Sequence, residues 1–175
     1  MYFKTFLVAF FVVFFLNILK AQNNNEISED IHLSIVKGLS LKKLGGNIDF
    51  GEALSTNRKH WKIISPKNGA RFVVTGIANR KITINYTRIV TLNNYAWVSS
   101  VGGERGKMKF ISHVRRTGKN STYTNSKRVR NGRRYKLQNS NGIGKLYLWV
   151  GGRIKINANQ PAGKYVGTFT LSVAY

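Results

Sequence analysis

The sequence predicts an all-β fold, an immunoglobulin-like antiparallel β-sandwich, and three observations carry that expectation. Beyond residue 30 the apolar residues recur with a period of two. The runs are short and rich in β-branched and aromatic side chains, and Gly, Asn and Pro separate them. Many short strands divided by turn residues suit a sandwich or a barrel.

The clearest run is Tyr165 to Tyr175. Its odd positions read Tyr165, Gly167, Phe169, Leu171, Val173 and Tyr175, and its even positions Val166, Thr168, Thr170, Ser172 and Ala174. One large apolar face and one small or hydroxylic face predict a half-buried strand about eleven residues long. The same alternation marks Ile31, Leu33 and Ile35; Phe72 and Val74; Ile82, Ile84 and Tyr86; Met108 and Phe110; Leu146, Leu148 and Val150; and Ile154 and Ile156. Tyr147 and Trp149 make the second face of their run apolar as well, which predicts a central strand covered on both sides. Turns are expected at Gly45-Gly46, Pro66 to Gly69, Gly102-Gly103, Asn131-Gly132, Asn141-Gly142, Gly151-Gly152 and Pro161 to Gly163. No helical apolar stripe exceeds two turns, and Leu39 to Leu44 offers one turn at most.

Length and composition fit one domain behind a leader: 175 residues, 42% hydrophobic and 20% charged. Lys4, the apolar stretch from Phe6 to Leu19 and small Ala21 follow the order of a signal peptide over residues 1–21, with Gln22 as the mature terminus. The competing reading is an uncleaved anchor, but the apolar run is short of the roughly 20 residues a span needs. Residues 22–30 read as a flexible Asn-rich terminus and 31–175 as a single domain. The expected location is the periplasm, outer surface or exterior of a Gram-negative bacterium, with no membrane span after cleavage. The chain has no cysteine, so neither disulfides nor thiolate metal sites are available.

The formal net charge is +23, and no Asp or Glu follows Glu104. The densest basic stretch, 115–136, reads as a long loop or protruding hairpin. Its candidate polyanion contacts are Arg115, Arg116, Lys127, Arg128, Arg130, Arg133, Arg134 and Lys136. For an exported protein the available polyanions are acidic polysaccharide, lipopolysaccharide and extracellular DNA. A solvated basic surface without a partner explains the same residues.

Nothing in the sequence spells catalysis. His32, His60 and His113 share no metal-ligand spacing. Asp49 and Glu52 suit a turn better than the two sides of a cleft. There is no Gly-x-Ser-x-Gly elbow. Gly102 to Lys107 lacks phosphate-loop spacing, and Met108 stands where Ser or Thr is needed; a glycine-rich hairpin turn is expected there. Tyr123, Tyr135, Tyr147 and Trp149 lie among basic residues and could form a stacking platform. The expectation is a non-enzymatic protein with no cofactor, metal or small-molecule substrate.

The closing stretch Pro161 to Tyr175, with Gly163, Tyr165, Gly167 and Tyr175, resembles the end of the bacterial family called domain of unknown function 4402. Phe50-Gly51 within Ile48 to Gly51, Gly76 within Phe72 to Gly76, and Gly151-Gly152 after Val150 resemble its earlier elements. The same ending is similar to chaperone–usher pilins and spore-coat-U-like secreted proteins. The resemblance implies an immunoglobulin-like sandwich with a structural or adhesive role, such as that of a fimbria-like subunit, and supplies no catalytic residue. The basic stretch 115–136 departs from the family pattern. Two readings of Ile31, Leu33 and Ile35 stay open. They are the first strand of their own domain, or a strand that pairs with a like subunit.

Overall fold

The computed structural model describes residues 38–175. The signal peptide, the segment 22–30 and the strand expected over Ile31 to Ile35, with His32, lie outside the described residues. In chain order the strands are β1 (Ser40–Gly45), β2 (His60–Ile64), β3 (Ala70–Ile77), β4 (Lys81–Tyr86), β5 (Ile89–Asn93), β6 (Lys107–Arg116), β7 (Lys127–Arg128), β8 (Arg133–Lys136), β9 (Gln138–Ser140), β10 (Ile143–Ile156) and β11 (Leu171–Ala174). Among the described residues one α-helix, α1 (Tyr95–Val101), joins β5 to β6.

The strands form two antiparallel sheets, as the sequence leads one to expect. The large sheet runs β1-β3-β10-β6-β5 and the small one β11-β4-β8. The 14-residue β10 organises the large sheet. One edge pairs with β3 over Ile143 to Val150 and then with β2 over Gly152 to Ile156; the other pairs with β9 and then β6. Gly151 marks the handover between β3 and β2. A Cβ there would stand 2.3 Å from the Ile64 carbonyl oxygen and 2.7 Å from the Pro66 nitrogen, so only glycine passes. The β9–β10 hairpin closes on Asn141-Gly142, both at positive φ (53° and 81°). That is the turn chemistry this dipeptide provides.

Alternation places the core between the sheets. Val74, Leu146, Leu148, Val150 and Val114 of the large sheet meet Ile82 and Ile84 of the small one, with Val129 and Leu137 completing the cluster. A second cluster, Val90, Met108, Phe110, Ile154 and Ile156, lies on the same inner face towards the other end of β10. The small sheet does not reach it.

Four local expectations need correction. The C-terminal strand is four residues, not eleven. Val166 bridges Asn93 of β5 in the large sheet, whereas Leu171 to Ala174 pair with β4 in the small one. The segment thus turns the corner between sheets, as β4 and β5 do around Thr87, and a ladder cannot continue through that corner. Its facing is as expected, with Phe169, Leu171, Val173 and Tyr175 packed on the core. Leu39 to Leu44 is strand rather than a helical turn, its alternate leucines Leu39 and Leu41 packing inward. Gly102 and Gly103 do not form a hairpin turn; they end α1, with the Gly102 amide bonded to the Val98 carbonyl (2.8 Å). Finally, β10 is central but not sandwiched on both faces. Tyr147 and Trp149 point to the outer face, and Trp149 is covered by Tyr123 rather than by another sheet (centroids 5.2 Å, near perpendicular).

Candidate binding surfaces

Two surfaces stand out: the outer face of the large sheet, and the open end of its inner face. The outer face follows from register, because residues paired across an antiparallel ladder share a face. One row holds Arg71, Trp149, Arg115 and Arg128 on β3, β10, β6 and β7. Another holds Ile63, Arg153, Ile111 and Ile89. Trp61 lies opposite Lys155, and Lys145 opposite Thr75. The Arg153 guanidinium sits 4.5 Å from the Trp61 ring centre and that of Arg71 5.5 Å from Trp149. Both are cation–π distances.

The basic stretch 115–136 is not one excursion. It returns as a hairpin at its base, where Arg115 and Arg116 pair with Arg128 and Lys127, and then crosses to the small sheet as β8. Val129, an apolar residue inside the basic run, and Leu137, just after it, are fully buried and pin the run between the layers. The eight candidate cations are thereby dispersed. Lys127 and Arg128 stay exposed beside β6; Arg133, Arg134 and Lys136 lie on β8; Arg130 is exposed between the sheets' strands. Arg115 is engaged, its Nε donating to Ser126 Oγ at 2.8 Å. Arg116 lies over the Tyr135 ring at 4.9 Å, with its buried Nε unpartnered. Tyr123, Tyr135, Tyr147 and Trp149 do not form one platform either. Tyr123 and Trp149 cover one another on the outer face, and Tyr135 packs against the core beside Ile82.

The open end of the inner face is an apolar groove of about 1050 Å³. Its floor is Val90, Leu92, Met108, Phe110, Ile154 and Ile156; segments 48–55 and 160–169 form its walls and, apart from the bridge of Val166 to Asn93, do not pair with the sheets. Asn94 fixes one end. Fully buried, it donates from Nδ2 to the carbonyls of Ala162 (2.8 Å) and Glu104 (3.0 Å) and accepts the Gly106 amide at Oδ1 (2.7 Å). Tyr165 adds a second tie, its hydroxyl donating to the Pro161 carbonyl (2.7 Å) and accepting from Gln160 Nε2 (2.8 Å).

The family-motif residues gather on this framework. Phe50 stacks edge-on against Phe110 (5.8 Å) at the groove, and Gly51 turns the chain beside it. Gly163, Tyr165 and Gly167 belong to a groove wall, whereas Gly151 and Gly152 lie on β10. Gly76 and Tyr175 meet at the opposite end of the sandwich. Sequence reasoning found these positions but missed Asn94, whose only local signal is an Asn just before a helix.

Among the described residues the titratable groups do not converge on a reaction centre. Asp49 Oδ1 accepts the Gly51 amide (2.8 Å) and closes a turn. His60 Nδ1 lies 3.4 Å from the Arg58 carbonyl. His113 is on the outer face, where burial and then the charges of Arg153 and Arg128 hold its pKa below the usual histidine value. Among the described residues no three His, Asp or Glu side chains cluster as metal ligands, and no helix is long and apolar enough to cross a membrane.

The family described as "Domain of unknown function (DUF4402)" matches residues 51–175. The early Phe50-Gly51 element thus falls at the boundary of the match. No curated protein matches the chain.

Proposed function

The chain belongs to the DUF4402 family, and from the geometry of its sandwich we propose a non-enzymatic structural or adhesive subunit of an exported surface assembly. The groove carries this reading. Six apolar side chains of the large sheet, five of them buried, lie beyond the reach of the small sheet and are covered by the irregular segments 48–55 and 160–169 instead of by a strand. The present cover of this floor is Ile48, Phe50, Tyr165 and Phe169 from irregular segments, and an extended apolar segment that took their place would find main-chain partners at the sheet margin.

The occupant we assign is the alternating segment Ile31, Leu33, Ile35 of a neighbouring copy. Reach argues against the same copy. Ser40 pairs with Thr75, which faces Lys145 of β10, whereas the groove floor includes Ile154. Nine strand residues separate these levels, about 30 Å at a rise of ~3.3 Å per residue. The five residues from Ile35 to Ser40 span no more than ~18 Å when fully extended. Deleting residues 22–36 tests the reading. The expected product is a folded monomer that has lost its multimers. A protein that is monomeric from the outset, and unfolds on deletion, contradicts it.

A further inference from the structure

We propose that the outer face of the large sheet, along β10, binds a linear acidic polysaccharide such as a polyuronate, at a site built around Arg71, Trp61, Arg153 and Lys155. This site is separate from the groove and does not depend on it.

The face is a cationic track. Lys145, Arg153 and Lys155 project from β10 itself, with Arg71 beside Trp149 and Lys109 opposite Thr91. From Lys145 to Lys155 it extends about 33 Å at a strand rise of ~3.3 Å per residue. No carboxylate interrupts it. Beyond residue 37 the only acidic side chains are Asp49, Glu52 and Glu104. The first two line the groove and the third follows α1. Arg153 and Arg128 flank His113 on this face, where burial first and then their charges lower its pKa.

Two further features give the track shape. Gly151, paired with His113 and overlain by the Ile64 to Pro66 backbone, separates the Trp149 row from the Arg153 row. Trp61 is 46% exposed, with Arg153 held over one ring face. An indole beside a fixed guanidinium offers an apolar platform and a charge together, the combination an acidic sugar ring presents in reverse. Arg153 Nε is buried and has no partner among the described residues, and its guanidinium is held by stacking on Trp61.

The arrangement fits a polysaccharide better than a nucleic acid strand. Base stacking uses aromatic rings in close succession. Here Trp149 is already covered by Tyr123, and Tyr147 is about 26 Å along β10 from the level of Trp61 at a rise of ~3.3 Å per residue.

The test is titration of the purified protein with oligogalacturonate at several salt concentrations, with dextran and oligo-dT as comparison ligands. Two variants of equal charge change are compared: R71Q/R153Q/K155Q on the track and R133Q/R134Q/K136Q on the small sheet. The track variant is expected to bind roughly tenfold more weakly, with a shallower salt dependence, because fewer counterions are released. The small-sheet variant should lose about twofold or less. Trp61→Ala should weaken oligogalacturonate binding several-fold at unchanged salt slope, with Trp61→Phe restoring most of it. Equal losses in the two triple variants would leave only diffuse charge and overturn the site. So would tighter, Trp61-dependent binding of oligo-dT.

Discussion

The hydroxyl of Tyr175 accepts a hydrogen bond from the amide of Ile77 at 2.8 Å, across the sandwich from its own strand. Arg80 lies over the same ring at 4.5 Å. The contact needs a glycine beside it, because a Cβ on Gly76 would stand 2.6 Å from the Tyr175 oxygen and 2.8 Å from Leu137 Cδ1. Tyr175→Phe should cost about 1 kcal/mol, the usual net value of one hydrogen bond. Gly76→Ala should cost more, roughly 1–3 kcal/mol through overpacking. Combined, the two should cost less than their sum, since removing the hydroxyl relieves part of the clash. Denaturant unfolding of the three variants measures this, and strict additivity would show that the contact is not as close as described.

Asn94 ties together the end of β5, the loop before β6 and one wall of the groove. Its side chain makes three hydrogen bonds while fully buried. Asn94→Ala strands two carbonyls and an amide, each worth roughly 1–3 kcal/mol if left unsatisfied. A loss of about 3 kcal/mol or more is expected by chemical denaturation. Asn94→Asp should also destabilise, because a carboxylate cannot donate to Ala162 and Glu104. Near-native stability for both variants would remove Asn94 from this role.

Phe169 and Thr170 are neighbours with opposite facing. Phe169 packs against both apolar clusters and meets Phe110 edge-on at 6.5 Å, whereas Thr170 is exposed. Phe169→Ala should cost about 3 kcal/mol, at the low end for core phenylalanines because the site is only half-buried. Thr170→Ala should stay within about 0.5 kcal/mol. Similar small effects at both positions would mean that the corner is packed differently.

His113 sets the pH dependence. Its folded-state pKa is lowered, first by burial and then by Arg153 and Arg128. The unfolded chain therefore binds a proton more readily than the native state. The stability linked to this group is fully present above the unfolded pKa of about 6.5 and is lost as pH falls through the folded value. His113→Gln should flatten the stability profile across that window in thermal melts at constant ionic strength. An unchanged slope would assign the titration elsewhere.

Strand positions and facing were legible in the sequence because a period of two is fixed by local geometry: Ile82 and Ile84, or Leu146 and Leu148, have no alternative burial once they form strands. What alternation could not show is where a strand changes sheets. Tyr165 to Tyr175 keep their facing through a corner at which the ladder breaks, so eleven alternating residues yield only a four-residue strand. The basic stretch misled for a related reason. Its many charges hid Val129 and Leu137, two isolated apolar residues whose burial decides the path. The outer-face track was illegible because Trp61, Arg71 and Arg153 are brought onto one face only by the pairing of β2 and β3 with β10.

The central claim, that a neighbouring copy fills the groove, is tested most directly by cross-linking, which the absence of native cysteine makes clean. Leu33→Cys and Leu92→Cys are introduced together, and the assembled protein is oxidised and run without reductant. A ladder of disulfide-linked multimers extending past the dimer, absent from either single variant, is the predicted result. A double variant that remains monomeric, or closes only a bond within one chain, contradicts it.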